Sequence, residues 1–506
     1  MVRTLLTKRE IGGKAVLLLL VALIPVITSL TLYPDFTGDD TFIHLVFARN
    51  VATGQGFAFN PGEPTYGATS PLWVLLIAAL SLVTHEFFWT ARVMSLFFSV
   101  AAVFSVFILA YCVTRHFSLS LGSALFLAVD PHFAKFAFSG METSLAISLV
   151  MVSLYMHLTD LMSQKRWRYG ASIALAVATL TRPECFLLFV ACLVDRLLKA
   201  PSKERFRVFS YMSAVYLIIV APWWFYAWRS FGTIIPNTAV AKSTTTLAWW
   251  LSARGSVIST LQLLAASYVP VLLFLLMGWG KVWLTREKHP QPRFPFAAVL
   301  WCVAWIGVQV FKGVDIVARY VLLVSPLLAV AAFEGVGHFW RTLPRKDIRL
   351  FVLLSFVSLF ILNSAVLTGL LIRPAAVEFT RGFETAYIEM GQWLADNTPP
   401  DATVAVADIG AIGYFSHRTV YDLAGLVTPE AIPYMGNPGH FVEMVRPDYL
   451  IIRRMGTPPV VEEWGMSCVH ATPIVTRTFH AVGSRTLGIP QFSVLYELSW
   501  LSPCSE

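Results

Sequence analysis

The sequence predicts an α-helical polytopic membrane protein of about eleven transmembrane helices plus interfacial helices, with a C-terminal α/β extracytoplasmic domain. Three observations predict it. Hydrophobic residues make up 56% of the 506 and charged residues only 13%, where a soluble domain carries about 25% charged residues. Long apolar runs recur as far as Leu371, at lengths suited to a bilayer. Beyond Arg373 the composition turns to Pro, Gly and charged residues, and short strand-like and helix-like segments alternate. In such a chain the net charge of +8 marks the cytoplasmic face and does not point to nucleic acid.

The N-terminus carries Arg3, Lys8, Arg9 and Lys14 before an apolar stretch from Ala15 to about Leu32. This stretch lacks a small-residue cleavage site, so it reads as an uncleaved first helix entering from inside. Further runs lie near 89–113, 117–131, 141–161, 168–182, 184–198, 207–228, 257–280, 294–311, 318–338 and 349–371. The run from Ser70 to Thr84 decides the topology. If it spanned, the basic loops around Lys165 and from Arg196 to Arg207 would fall outside, against the positive-inside bias. If it lies along the surface or re-enters, the cytoplasmic side holds four basic residues before the first helix. The loops near 115, 165, 200, 287 and 345 then add one, three, five, four and four, which places 21 of the 38 Lys and Arg inside. The second topology is adopted, with the N-terminus in and the C-terminus out.

Two outer regions are long. Residues 34–88 form the first outer loop of a membrane domain over residues 1–372, and residues 373–506 form the second domain. Within the latter a helix is expected from Glu378 to Asn397, with strands at Thr403–Ala407, Thr419–Leu423 and Asp448–Ile452. Cys112, Cys185, Cys192 and Cys302 sit in apolar runs and read as packing thiols. Cys468 and Cys504 lie in the polar part, where an oxidising compartment would allow them to pair.

The candidate chemistry begins at Gly38-Asp39-Asp40-Thr41-Phe42-Ile43-His44. At a loop-to-helix junction one carboxylate of a doublet can face a cleft while the other caps the helix; the alternative is that both cap the helix running to Asn50. Glu142 opens a helix and is open to the same two readings. His44 beside two aspartates leaves a divalent metal open. Trp223, Trp224 and Trp228 read as an interfacial belt.

The strings around the doublet carry a resemblance. They are Gly38–Phe42, Phe47-Ala48-Arg49-Asn50, Gly54–Phe57, Phe59–Glu63 and Gly67–Trp73, then Ser139–Thr143, Thr181-Arg182-Pro183-Glu184, Phe231-Gly232-Thr233, Pro236-Asn237-Thr238 with Lys242, and Arg319-Tyr320 with Pro326. In the C-terminal part Asp408–Tyr414 and Asp422–Leu426 continue it. Taken in order, they resemble bacterial GT-C glycosyltransferases that use polyprenyl-phosphate sugars, especially cell-wall arabinofuranosyltransferases. The family's Val-Glu-Gly before Thr-Ser stands here as Thr65-Tyr66-Gly67. The resemblance implies a GT-C-like membrane catalytic domain and places the catalytic carboxylate at Asp39, with Asp40 as its neighbour. It also implies a polyprenyl-phosphate sugar donor, and an acceptor hydroxyl on a glycan, lipid or protein at the outer face of a bacterial plasma membrane.

The chemistry is compatible with one carboxylate. A lipid phosphate leaves as an anion of low basicity, so no acid need protonate it, unlike the paired carboxylates of glycosidases. The carboxylate would deprotonate the attacking hydroxyl and give inversion. Cations would hold the departing phosphate, and Lys242 and Arg319 are preferred, followed by Arg182, with Glu142, His44 and Glu184 supporting. The rivals are a transporter or flippase of lipid-linked sugars and a noncatalytic binding protein on the same fold. Carriers place ionisable groups near the midplane, whereas the apolar runs here nearly lack them, with Glu334 and Asp195 lying toward inner ends.

Overall fold

The computed structural model describes residues 8–163, 168–241, 258, 261, 267–285, 294–312, 318–342, 345–479 and 490–501. The described helices in chain order are α1 (Lys8–Leu32), α2 (Asp39–Ala52), α3 (Pro71–Thr84), α4 (Phe87–Thr114), α5 (Phe117–Val129), α6 (Pro131–Ala137), α7 (Thr143–Ser163), α8 (Arg168–Thr181), α9 (Cys185–Lys199), α10 (Arg205–Phe231) and α11 (Asn237–Ala241). They continue with α12 (Val269–Thr285), α13 (Phe296–Lys312), α14 (Ala318–Val321), α15 (Ser325–Thr342), α16 (Lys346–Leu367), α17 (Arg373–Phe383), α18 (Glu389–Asn397), α19 (Ile409–Ser416) and α20 (Pro438–Val445). The strands are β1 (Thr403–Val406), β2 (Thr419–Asp422), β3 (Tyr449–Met455), β4 (Val469–Phe479) and β5 (Gln491–Trp500).

Among the described residues five helices are long and apolar enough to cross a membrane, or six if the pair α5 and α6 counts as one broken span. That pair bends by 65° at Asp130-Pro131. The proline has no N–H to give to the preceding turn, and Asp130 accepts instead from the amides of His132 and Phe133, starting a new helix. The apolar helix α3 has 14 residues, about 21 Å at 1.5 Å per residue, too short to cross a core of about 30 Å alone. The chain is an integral membrane protein.

The chain divides into two compact units. The first comprises residues 1–34, 93–222 and 244–372. Here α12 packs on α15, α7 on α8, α13 on α9, and α5 on both α1 and α15. Rings fill its middle. Phe333 and Phe360 lie 5.4 and 5.9 Å from Phe274, and Phe126 lies 5.0 Å from Phe360.

The second unit comprises residues 35–92, 223–243 and 373–506. The first outer loop, expected with the membrane helices, therefore clusters with the C-terminal residues. The sheet order is β2-β1-β3-β5-β4, parallel from β2 through β3 and antiparallel from β3 through β4. The three strands read from the sequence are β1, β2 and β3; β4 and β5 were not foreseen. One face packs Phe441, Val442, Leu450, Ile452 and Tyr496 into a common core. The helix expected over Glu378–Asn397 runs from Arg373 to Asn397, through a π turn at Glu384–Ile388.

Two observations explain why the loop joins this unit. Asn60 lays its side-chain amide along β2, donating to the Val420 carbonyl and accepting from the Val420 N–H, both at 3.0 Å. Phe42 of α2 lies among Phe88, Phe383, Tyr414 and Phe415 at 5.3 to 5.8 Å. Trp223, read as part of an interfacial belt, packs instead within this unit. Its indole N–H donates to the Tyr66 hydroxyl at 2.8 Å and its ring meets that of Phe57 edge-on. Trp228 is exposed. Cys468 is disulfide-bonded, Cys504 lies outside the described residues, Cys112 is buried, and Cys185, Cys192 and Cys302 are free.

Candidate functional site

The doublet opens α2, with Gly38 at the cap position and both aspartates in the first turn, where negative charge complements the helix end. Asp39 spends its carboxylate elsewhere. Its two oxygens accept the N–H groups of Gly410 and Ala411, each at 2.9 Å. These are the second and third residues of α19, the amides that a capping side chain ordinarily takes. Asp39 thus caps a helix 371 positions further along the chain, an arrangement neither sequence reading of the doublet contained.

Only glycine permits the approach. A Cβ on Gly410 would stand 2.2 Å from the Asp39 carbonyl oxygen and 2.8 Å from its Oδ1. Burial raises the Asp39 carboxyl from its ordinary range to about 7, Asp408 and Asp40 add to the rise, and the two amide bonds oppose it. Asp408 accepts from the Tyr387 hydroxyl at 2.7 Å and lies 3.0 Å from the Arg453 guanidinium. Tyr387 and Arg453 escaped the sequence reading. Asp408 had a local signal, an aspartate at the start of a helix.

Three of the sequence strings meet on the same unit. Asn237 donates from its amide to Thr65 Oγ1 and to the Leu426 carbonyl, both at 3.1 Å, and its N–H goes to the Tyr66 carbonyl at 3.0 Å. The buried Asp422 carboxylate gathers the N–H groups of Ala424, Leu426 and Val427 into a tight loop, and burial raises it to about 6. Gly67 lies under this loop, where a Cβ would be 2.5 Å from Val427 Cγ1 and 2.9 Å from the Leu426 oxygen. Thr65-Tyr66-Gly67 thus meets the loop through Asn237, which bonds Thr65, Tyr66 and Leu426, and through the close approach of Gly67.

His44 is buried on α2. Among the described residues no group of three or more His, Cys, Asp or Glu is placed to hold a metal ion.

The first unit carries the other candidates. Arg182, between α8 and α9, directs Nε and Nη2 at Glu142 Oε1, at 3.1 and 2.8 Å. Its Nη1 lies 3.5 Å from Glu184. The dominant pair is therefore Glu142–Arg182, both buried, rather than the neighbouring Glu184 across Pro183. Arg182 and Arg319 both lie over the Tyr320 ring, at 5.4 and 5.3 Å. Two carboxylates and two guanidiniums thus balance at one place. Lys242 lies outside the described residues.

ArnT from Cupriavidus metallidurans, solved bound to undecaprenyl phosphate, aligns over 96% of this chain and 98% of its own, with a TM-score of 0.56 and 15% identity. An oligosaccharyltransferase from Archaeoglobus fulgidus, solved with Zn and sulfate, aligns over 86% of this chain and 67% of its own, with a TM-score of 0.58 and 12% identity. The chain has the GT-C fold. A terminal β-(1→2)-arabinofuranosyltransferase of Corynebacterium glutamicum is 29% identical over 237 residues, 42% of this chain and 34% of that protein. The match thus spans about a third of the relative's length, and at this level the GT-C chain resembles arabinofuranosyltransferases. Residues 375–494 match the model of DUF8728, a domain of unknown function.

Proposed function

We propose that the chain is an inverting membrane glycosyltransferase that moves a sugar from a polyprenyl-phosphate donor to an acceptor hydroxyl at the outer face of the membrane. The observation that carries the reading is Asp39. It is a carboxylate held in fixed orientation by two amides and titrating at about 7, where a general base works best. Each oxygen keeps a lone pair after its amide bond, so the group can accept a proton from the acceptor hydroxyl as that oxygen attacks the anomeric carbon. The bond to the phosphate then breaks on the opposite face, and the electron pair leaves on the phosphate.

Arg319, Lys242 and Arg182 are the cations for that phosphate. Glu142 and Glu184 already face Arg182, so Arg182 orients the group, and Lys242 and Arg319 are the preferred cations. Asp40 is the neighbour of the base. The fold shared with a protein solved on undecaprenyl phosphate supports the donor class, and the match to an arabinofuranosyltransferase supports arabinofuranose as the sugar. The residues from Arg373 onward, with Cys468 in a disulfide, fit an extracytoplasmic location.

The test is transfer from a polyprenyl-phosphate arabinofuranose donor by purified protein in lipid nanodiscs. Asp39→Asn should keep donor binding and lower the rate by roughly 10²-fold or more. Near-normal transfer by that variant would overturn the assignment of the base.

A further inference from the structure

The groups around Asp39 carry a further inference. We propose that Asp408, braced by Tyr387 and Arg453, is a positioning residue for Asp39: it yields the end of α19 to that carboxylate and holds a second negative charge against it. The inference rests on Asp39 being the base.

Asp408 occupies the cap position of α19 but makes no capping bond with its side chain, although an aspartate there ordinarily takes the second or third amide. Those two amides go to Asp39. The Asp408 carboxylate is drawn the other way, with its Oδ2 2.7 Å from the Tyr387 hydroxyl and 3.0 Å from Arg453 Nη1. Arg453 also donates to the Tyr387 oxygen at 2.9 Å, which closes a triangle. Its corners come from the π turn after α17, the loop before α19 and strand β3, so three elements fix the displaced carboxylate.

The charged and titratable groups that face Asp39 are Asp40 on its own helix, Asp408 before α19, Tyr387 and Arg453. Helix α3, which also packs on α2, carries no ionisable side chain. After burial, Asp408 is the largest influence raising the Asp39 carboxyl. Arg453, attracted by both carboxylates, works against that rise. A carboxylate retained beside a base thus keeps the base partly protonated at neutral pH, and transfer should rise as pH climbs through about 7.

Opposite charge changes should move that limb in opposite directions. Asp408→Asn keeps the shape and an acceptor for Tyr387 and Arg453, and should shift the acid limb of the transfer profile by about one pH unit toward acid. Arg453→Gln should shift it toward alkaline pH, and Arg453→Lys, which keeps the charge, should restore it. The same variants are titrated by difference infrared spectroscopy of the carboxyl band that Asp39→Asn removes. A band unmoved by either charge change, or moved in the same direction by both, overturns the proposal whatever the rates do. A band that moves as stated while the rate ignores it upholds the coupling and counts against Asp39 as the base.

Discussion

Asp39 in one unit is half-buried and Glu142 in the other is buried, and the partners of the two carboxylates differ in kind. Glu142 faces a full positive charge on Arg182, whereas Asp39 faces two backbone amides with Asp408 nearby. A full cation pins a carboxylate in its ionised form. Dipoles orient one without fixing its charge, and a like-charged neighbour then brings its titration toward neutrality. The first arrangement suits a strut and the second suits a proton acceptor.

The contrast breaks most heavily at the strut. Glu142→Gln keeps an acceptor for Arg182 but leaves Glu184, 3.5 Å away, as the carboxylate facing it, and should cost about 3 kcal/mol of stability, read as a lower melting temperature in detergent. An unchanged melting temperature would mean that Glu184 alone balances the cation.

Gly410→Ala acts on the other carboxylate. The added methyl meets the Asp39 backbone oxygen, which should cost about 1–3 kcal/mol and lower transfer by moving the carboxylate off its amides. A variant with full activity would separate the cap from the chemistry.

A third test sharpens the comparison through pH. The folded chain holds the Asp39 proton to about 7 against an ordinary 3.8, so it binds that proton more tightly than the unfolded chain does. The contribution to stability is complete below about pH 4 and is lost as pH rises to about 7. Between about pH 5 and pH 8 the protein should lose stability that Asp39→Asn retains, measured by parallel thermal melts. Equal slopes for the two would mean that Asp39 is ionised throughout.

Much of this was legible in the sequence because several signals are local. The apolar helices, the apolar β1 and β3 and the glycine-rich strings each announce themselves within a short local stretch. Strand β4 does not, because it is an edge strand with Val475 as its one buried residue. Strand β5 buries Val494, Leu495 and Tyr496 in succession, a run that fits a buried strand or a piece of helix equally well. The π turn at Glu384–Ile388 changes the register of a helix whose composition stays helical. The cap of α19 by Asp39 had no local sign at all, since helix and cap lie at opposite ends of the sequence. The doublet was found by its place at a loop-to-helix junction and given its role by the resemblance, and its partners Tyr387 and Arg453 could be found only by folding the chain.

The amide of Asn60 on strand β2 has a consequence for how the protein fails. An edge strand with open backbone groups is a template for pairing with another chain, and at β2 one side chain acts as a single-residue strand that occupies both groups of Val420. The opposite edge, β4, guards itself by other means: Pro473 and a shift of register beside it. Whatever dislodges the loop around Asn60 bares the unguarded edge, so injury to this loop should surface first as aggregation, before any loss of the sheet itself.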